Sequence, residues 1–358
     1  MNNKKINYTD KKIYLGIDVH RKKYAVSAVI NGEVVDNFSY SGSKDDFVDM
    51  LGKRYFLAKE VISCYEAGFS GYSLHRSLES IGYKNIVVHA GSVETSSSRR
   101  KTDKRDAKKM SLQLYSGSLK GIYIPSKEEE DLRRINRLRR NLVKDRTRNI
   151  TRVRMLFHYY GILEYEHSGV LSYMKAQRIY VNNAPNFGEG FREEMSTYLD
   201  NWNNLTRKIY KLNKELNKQS EKSEIDNHYR SVPGIGILTA RTLALELGDM
   251  SRFKNAKGLY SYIGLTPSEH SSGEQRRLGR ISREGKPLIR AMLIQAAWKA
   301  VRDDRALNDM YIRLKVKKGG KKAIVAVARK LAGIARSCAV NKKEYEMIEV
   351  NSEHKLAA

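Results

Sequence analysis

The sequence predicts a mixed α/β domain followed by a mostly helical remainder. Short β-branched and alternating runs fill residues 12–88, and apolar residues at helical spacing dominate after residue 128. Hydrophobic residues make up 41% of the chain, which is enough for packed cores. A chain of 358 residues is expected to form more than one core, because single cores stop growing at roughly 250–300 residues.

The N-terminal part is predicted to follow the order β-β-β-α-β-α-β-α. Asn31-Gly32 lies between two alternating runs and favours a tight hairpin turn. The predicted strands are 12–19, 24–30, 33–40, 60–65 and 85–88, and the predicted helices are 45–51, 72–81 and 104–119. This order is typical of the ribonuclease-H-like fold.

Four carboxylates fall at the ends of these elements. Asp18 lies near the end of the first strand, Glu66 closes the fourth, and Asp103 and Asp106 begin the last helix. Helical i,i+3 spacing places the two aspartates about 5–6 Å apart on one face. Mg²⁺ or Mn²⁺ prefers such oxygen ligands, and a pair of metal ions activates one phosphodiester oxygen while stabilising the leaving one. The pattern predicts a divalent-metal site for phosphoryl transfer.

The alternative is that these carboxylates are turn and helix-cap residues. Asp103 and Asp106 would then be stabilised by the helix macrodipole alone. The metal-site interpretation is favoured by the surrounding bases, which suit a polyanionic substrate: Lys101, Lys104, Arg105, Lys108 and Lys109.

The charge balance predicts an anionic partner. The chain has 67 Lys plus Arg against 40 Asp plus Glu, a formal net charge of +27. Nucleic acid is the favoured partner and an anionic membrane the weaker alternative. No window supplies the ~18 apolar residues of a membrane span, and the N-terminus lacks a signal-peptide apolar segment. We therefore expect no membrane partner and a cytoplasmic, nucleoid-associated location.

The two cysteines are expected to be buried and reduced. Cys64 and Cys338 lie far apart in apolar surroundings, so neither a disulfide framework nor a thiolate zinc site is expected.

The middle of the chain predicts an arginine-rich helix. After an acidic first turn at 128–131, apolar residues recur at helical spacing from Leu132 to Leu156, with ten bases between them and Asp145 as the single acid. A solvated charged face is the alternative, but so few internal ion pairs favour a nucleic-acid surface. Its predicted contacts are Arg133, Arg134, Arg137, Arg140 and Arg148.

A second long helix carries a heptad seam. The seam residues are Phe191, Met195, Tyr198, Trp202, Leu205, Ile209, Leu212 and Leu216. The spacing predicts a coiled coil, with self-association into a dimer or tetramer slightly favoured. The alternative is a hairpin with the arginine-rich helix of the same chain.

The C-terminal part contains two candidate phosphate-binding turns. Val232-Pro233-Gly234-Ile235-Gly236 resembles a helix-hairpin-helix element, in which Gly234 and Gly236 would expose backbone N–H groups to phosphate; close helix packing is the alternative. Ser271-Ser272-Gly273 is followed by five predicted nucleic-acid-binding bases, Arg276, Arg277, Arg280, Arg283 and Lys286. From chemistry alone, this serine is a phosphate-contacting or turn residue, because no activating Ser-His-Asp order is legible.

These features predict four segments. They are an acidic-site domain at 1–125, a helical coiled-coil arm at 126–228, a mostly helical C-terminal domain with the serine at 229–342, and a flexible tail at 343–358.

Five motifs resemble, in order, those of the DEDD transposases of the "insertion sequence one-ten" family. They are Gly16-Ile17-Asp18-Val19-His20, Tyr65-Glu66-Ala67-Gly68, Lys101-Thr102-Asp103-Lys104-Arg105-Asp106-Ala107, Val232-Pro233-Gly234-Ile235-Gly236, and Tyr262-Ile263-Gly264-Leu265 continuing to Ser272-Gly273 and Arg283-Glu284-Gly285-Lys286. The resemblance spans about residues 12–340.

The resemblance implies a RuvC-like N-terminal domain, a coiled coil and a C-terminal transposase domain. It implies that Asp18, Glu66, Asp103 and Asp106 are the metal-binding tetrad. It also implies that Ser272, with Ser271 as its neighbour, forms a covalent link to DNA. The expected partners are donor and target DNA and a structured noncoding guide RNA. Two rival hypotheses are a junction resolvase that uses water and a non-catalytic RNA- or DNA-binding protein.

Overall fold

A computed structural model describes residues 8–93, 102–165, 169–269 and 278–347. The chain divides into two compact units, 1–124 and 125–358. The predicted boundary at 228–229 falls inside the second unit, and a further division there stays a prediction.

The first unit is a mixed α/β domain, and its elements follow the predicted order. They are β1 Lys12–Val19, β2 Lys23–Ile30, β3 Glu33–Ser41, α1 Lys44–Arg54, β4 Glu60–Glu66, α2 Ser73–Ser80, β5 Lys84–Val88 and α3 Asp103–Tyr115. Asn31 and Gly32 both have positive φ, at 51° and 86°, and join β2 to β3 by the predicted tight turn.

The five strands form one mixed sheet in the order β3-β2-β1-β4-β5. β1 and β3 each run antiparallel to β2, whereas β1, β4 and β5 run parallel. Parallel neighbours end at the same edge of a sheet. The ends of β1 and β4, with Asp18 and Glu66, are therefore brought side by side.

The sheet is covered on both faces. Ile13, Leu15 and Ile17 belong to a core with α1 and α2 residues such as Phe47 and Leu74. The other face carries α3, which packs on β1, β2 and β4. On that side Ser111 Oγ donates to Ser27 Oγ at 3.1 Å, and Cys64 Sγ lies 3.7 Å from the Met110 carbonyl oxygen.

The second unit is mostly helical. Its elements are α4 Lys127–Tyr159, α5 Tyr173–Asn183, α6 Glu189–Glu221, α7 Glu224–Arg230, α8 Ile237–Leu247, α9 Ala256–Tyr262, β6 Pro267–Glu269, β7 Leu278–Ile281, α10 Pro287–Asp303, α11 Arg305–Lys318 and α12 Gly320–Asn341. A capping box at Ser126 and Glu129 begins α4 at the predicted acidic turn.

Five residues of the α6 heptad seam are buried within the chain, whereas Tyr198, Leu205 and Leu212 are half-buried. Phe191, Met195 and Trp202 are at most 5% exposed and form a core with Val153 of α4 and Ile179 of α5. The structure therefore has the intramolecular hairpin that was the alternative to self-association. These three side chains are already covered by the same chain.

The α4 face that packs inward is more polar than its sequence pattern predicts. Arg133 and Asn136 are 5% and 6% exposed, whereas Leu138 of the apolar stripe is 49% exposed. α4 packs on α8 as well as α6, and Thr242 Oγ1 of α8 donates to Asn136 Oδ1 at 3.3 Å. Contact with α8 thus buries polar residues of α4, while Leu138 of the apolar stripe stays exposed.

A separate core lies among α7–α12. It includes Tyr229, Leu243, Leu293 and Leu331. Cys338 joins this core and Cys64 lies in the first unit; both are buried free thiols, as predicted. None of the helices in the described part of the chain combines the length and apolar character that crossing a bilayer requires.

Candidate metal centre and basic surfaces

Two of the predicted carboxylates meet at the edge of the sheet. Asp18 lies near the end of β1, and Asp103 is the first residue of α3. His20 Nε2 lies 3.4 Å from Asp18 Oδ2 and 3.4 Å from Asp103 Oδ1. Ligand atoms of the three side chains all lie within 4.8 Å of one another. This spacing allows one cation to be shared by all three.

The other two carboxylates lie next to this pair in the fold. The β1–β4 register pairs Ile17 with Tyr65, so the following residues, Asp18 and Glu66, stand on neighbouring strand ends. Asp106 is one helical turn after Asp103, and its charge contributes to raising the pKa of Asp18. The backbone thus brings the four predicted residues to one edge, although direct ligand spacing is seen for Asp18 and Asp103 with His20.

Gly16 explains how α3 reaches the site. A Cβ at this position would collide with the Ala107 carbonyl oxygen and lie 2.5 Å from the Ser111 nitrogen, both in the α3 backbone. Glycine therefore permits the close approach of α3 to β1. That approach delivers Asp103 and Asp106 to the strand end that bears Asp18.

Neighbouring charges shift the pKa of both Asp18 and Asp103. Burial raises the pKa of Asp18, His20 lowers it, and Asp103 and Asp106 raise it further, so that the net shift is upward. A hydrogen bond from Lys23 Nζ to Asp103 Oδ2, at 3.0 Å, lowers the pKa of Asp103. A carboxylate held among like charges is stabilised by a cation, so this donor set fits a hard divalent metal.

His20 and Lys23 are the residues that sequence reasoning missed. His20 belongs to the motif that contains Asp18, but the sequence pattern did not predict a function for this histidine. Its position two residues after Asp18 was the available signal, because alternate residues of an extended strand share a face. Lys23 begins β2, and its contact with Asp103 spans 80 residues of sequence. Its role could not be inferred from local spacing.

The predicted arginine surface of α4 is divided by the fold. Arg133 is buried, and Arg137 donates from Nε and Nη2 to the buried Glu246 at 2.7 and 2.8 Å. Arg133 thus packs within the second unit, whereas the Arg137 side chain is half exposed beside its ion pair. Arg134 and Arg148 are largely exposed and pair within α4 with Glu130 and Asp145. Arg140 is half-buried.

The two glycines of the predicted hairpin have different roles. Gly234 has φ of +78°, and a Cβ there would collide with the Ala296 carbonyl oxygen of α10. Helix packing therefore accounts for Gly234, as in the alternative interpretation. Gly236 is the N-cap of α8, and a Cβ there would meet nothing within 4 Å. It leaves space in front of the α8 N-terminus.

The serine segment at 271–273 lies outside the described residues. Lys101, Ser271, Ser272, Arg276 and Arg277 all belong to the parts not described. Antiparallel strands β6 and β7 precede and follow the serine segment. Arg280 and Arg283 are exposed, whereas Lys286 Nζ lies 3.4 Å from Glu246 Oε2.

A buried arginine braces the base of these strands. Arg290 Nη1 donates to the carbonyl oxygens of Ile263 and Glu284, each at 2.8 Å. Gly264 and Gly285 have φ of +70° and +81°, and a Cβ on either would collide with the opposite backbone. The loop after α9 and the loop before α10 are therefore held in direct contact.

Comparison with known proteins places both units among transposases. A family model described as "Transposase" matches residues 15–161, and one described as "Transposase IS116/IS110/IS902 family" matches residues 226–311. The first match contains all four predicted metal-binding carboxylates. The second contains Gly234, Gly236 and the serine segment.

Individual relatives cover most of the chain. A putative transposase, y4qE, of Sinorhizobium fredii is 26% identical over 80% of this chain and 72% of the relative. The transposase for insertion sequence element IS1111A of Coxiella burnetii is 25% identical over 76% of this chain and 75% of the relative. The transposase for insertion sequence element IS1533 of Leptospira borgpetersenii is 25% identical over 80% of this chain and 85% of the relative.

Proposed function

The chain belongs to the IS116/IS110/IS902 family of transposases, enzymes that cut and rejoin DNA, and we propose the role of each site residue in that reaction. The observation that carries the proposal is the meeting of Asp18, His20 and Asp103 within 4.8 Å, beside the strand end that bears Glu66. The strand order β3-β2-β1-β4-β5, with α3 over the site, supports a ribonuclease-H-like, RuvC-like assignment.

We propose that Asp18, Glu66, Asp103 and Asp106 hold Mg²⁺ or Mn²⁺. A bound divalent ion would supply charge stabilisation at the scissile phosphate. Lys23 orients Asp103 through its 3.0 Å hydrogen bond and keeps that carboxylate ionised. His20 lies between Asp18 and Asp103 and offers them a hydrogen-bond donor. The exposed bases Lys104, Arg105 and Lys108 on α3 suit the approach of a polyanion.

We propose Ser272 as the nucleophile, following the family motif that it matches. Its hydroxyl oxygen would bond to phosphorus as the bond from phosphorus to the leaving sugar oxygen breaks. The hydroxyl proton is lost, and the departing sugar oxygen takes up a proton. Support comes from the loops that precede and follow this segment. The hydrogen bonds of Arg290 and the close backbone approach at Gly264 and Gly285 hold these two loops together. The covalent serine–DNA link would then be reversed by a second strand end.

The proposed partners are donor and target DNA and a structured noncoding guide RNA encoded by the element. The net charge of +27 supports polyanionic partners. We also propose that the protein works in the cytoplasm on chromosomal DNA. A dimer or tetramer would form through surfaces other than the buried residues of the α6 seam.

The proposal is tested by substituting the two halves of the site separately. Asp18→Asn and Ser272→Ala should each abolish excision and integration in cells carrying a marked element with its noncoding flank. Both variants should retain nucleic-acid binding, because neither substitution removes a positively charged side chain. Asp45→Asn, at an exposed carboxylate on α1, is the matched control and should remain active.

The chemistry of the serine is tested by trapping its adduct. Denaturing electrophoresis of the wild-type reaction should show DNA linked covalently to protein, and Ser272→Ala should show none. Recombination by Ser272→Ala without an adduct would instead identify water as the nucleophile. Full activity of Asp18→Asn would overturn the metal site.

A further inference from the structure

The arm formed by α4 and α6 carries two adjoining pockets that share Arg152, together called the arm groove. One part has a volume of about 380 Å³ and is lined by Asp145, Arg148 and Arg152 of α4 and by Asn201, Asn204 and Lys208 of α6. A second part, of about 500 Å³, shares Arg152 and continues to Tyr159 and Tyr198. From Arg148 to Tyr159 the groove follows about 16 Å of helix axis.

The first part of the groove is suited to phosphates. Between Lys144 and Arg154, α4 has five cationic residues and one acidic residue, Asp145, which pairs with Arg148 at 2.8 Å. Lys208 is exposed on the opposite wall. Of the charged residues that line the two parts, Arg148, Arg152 and Lys208 are cationic, and Asp145 and Glu194 are acidic, so a cationic excess of one remains. Asn201 and Asn204, one helical turn apart, add amide donors and acceptors that match base edges.

The second part of the groove is suited to flat apolar rings. Tyr159 is 82% exposed, and its ring packs edge-on against Tyr160 at 5.1 Å between centroids. Tyr160 is anchored in turn on Phe191, at 4.7 Å. The Arg152 guanidinium lies 5.6 Å from the Tyr198 ring centroid, and Tyr198 donates to Glu194 at 2.8 Å. The exposed tyrosine ring is thus held in place by neighbours that are themselves packed.

We propose that this arm groove binds an unpaired stretch of nucleic acid, with phosphates on Arg148, Arg152 and Lys208 and a base stacked on Tyr159. In a duplex the base faces are covered by their neighbours, so a tyrosine ring gains a stacking partner only from an unpaired base. Lysine and arginine side chains alone would bind the phosphate backbone of any nucleic acid. Exposed aromatic side chains beside them favour single strands, because unpaired nucleobases can stack on them. The inference deepens the proposed function, since it rests on the nucleic-acid role proposed there.

RNA and DNA both offer phosphates and bases that can stack on a tyrosine ring. The experiment therefore distinguishes between an RNA strand and a DNA strand. The full-length protein is titrated with fluorescent single-stranded RNA, single-stranded DNA and duplex DNA of equal length, in EDTA so that no cleavage occurs. Tyr159→Ala should weaken single-strand binding about tenfold and leave duplex binding unchanged. Arg152→Ala should weaken single-strand binding and reduce its salt dependence by about one counterion.

Matched controls lie on the same arm outside the groove lining. Tyr210→Ala removes a 70% exposed tyrosine from α6, and Lys218→Ala removes an exposed base. Both should leave single-strand affinity within about twofold of wild type. Thermal unfolding of each variant confirms that the arm still folds. A larger effect on RNA than on DNA would identify RNA as the strand.

Two results would overturn the proposal. Unchanged affinity of Tyr159→Ala for both single strands would show that the groove takes another occupant. Equal losses on duplex and single strand would show a backbone surface without base stacking. Because binding is measured without cleavage, the Tyr159 effect can persist even if Asp18→Asn retains recombination activity. Failure of the metal site and failure of the groove are therefore separate outcomes.

Discussion

At the scale of single residues, the candidate site depends on Gly16 as much as on its carboxylates. This glycine has no chemical role, yet its missing side chain sets the distance between β1 and α3. Asp18 and Asp103 meet because the two backbones touch at Gly16 and Ala107. A sequence pattern identifies the acidic residues, but this distance decides whether their oxygen atoms can share a cation.

We predict that Gly16→Ala destabilises the first unit and abolishes recombination. The new methyl group would collide with the Ala107 carbonyl oxygen, and overpacking of this kind costs about 1–3 kcal/mol. Displacement of α3 would also separate Asp103 from Asp18. The free energy of unfolding and recombination in cells are the two measurements.

The control for this prediction is Gly52→Ala. Gly52 lies inside α1, and a Cβ there would meet Ile81 Cδ1 at an ordinary 3.8 Å. Alanine is favoured over glycine in a helix by about 1 kcal/mol, so this variant should be as stable as wild type or more stable. Wild-type recombination by Gly16→Ala would show that the spacing of α3 does not control the site.

At the scale of elements, one buried carboxylate links three segments of the second unit. Glu246 of α8 accepts from Arg137 of α4 at 2.7 and 2.8 Å and lies 3.4 Å from Lys286, which precedes α10. Burial raises the pKa of Glu246, but hydrogen bonds and charge from Arg137 and Lys286 outweigh it and hold the pKa below the ordinary value. The orientation of α4 on α8 therefore depends on an ionised Glu246.

We predict that Glu246→Gln lowers the free energy of unfolding by about 2 kcal/mol at pH 7, since it replaces charged hydrogen bonds with neutral ones. A depressed pKa in the folded state gives stability that is fully present above the unfolded value of about 4.3 and is lost as pH falls through the folded value. The difference between wild type and variant should therefore shrink below pH ~4. Denaturant titrations at pH 7, 5, 4 and 3 measure it.

Glu221→Gln at the exposed end of α6 is the matched control and should change the free energy of unfolding by less than about 0.5 kcal/mol. A Glu246→Gln difference that stays constant from pH 7 to pH 3 would contradict the assigned ion pair.

The packing of α4 against α6 predicts how much stability is lost when Phe191 or Leu138 is replaced by alanine. Phe191 of the seam is 1% exposed, whereas Leu138, which belongs to the predicted apolar stripe of α4, is 49% exposed. Phe191→Ala should cost about 3–5 kcal/mol because it leaves a cavity in a packed core. Leu138→Ala should cost less than about 1 kcal/mol, because half of its side chain already meets solvent.

The comparison is made by chemical denaturation of the two variants. Equal losses would mean that Leu138 is covered in solution, contrary to the structure. Loss at Phe191 with none at Leu138 would agree with the face of α4 that the structure buries.

At the scale of the whole molecule, the chain carries an excess of 27 positive charges. Electrostatic binding to DNA releases condensed counterions, so affinity falls with added salt. We predict that affinity of Asp18→Asn for duplex DNA falls at least about 100-fold between about 50 and 200 mM salt, as expected for contacts to several phosphates. Fluorescence anisotropy at four salt concentrations gives the slope. A flat slope would place most of the bases in internal ion pairs.

Much of the first unit could be predicted from sequence. The order of its elements and the hairpin at Asn31-Gly32 are confirmed, because alternation, β-branched runs and turn residues are local signals. The packing of the second unit was harder to predict from sequence. The heptad seam is equally satisfied by a partner chain or by a neighbouring helix, and spacing cannot distinguish them. The choice was made by the connection through α5, which brings α6 back onto α4.

Local patterns in the sequence were enough to predict the residue types available for chemistry and the order of the elements in the first unit. Tertiary structure alone decided which side chains share space. It placed His20 and Lys23 with the carboxylates, buried Arg133, paired Arg137 with Glu246, and opened a groove beside Tyr159. The physical reason is that element formation follows local backbone and side-chain preferences, whereas these contacts depend on packing between segments distant along the chain.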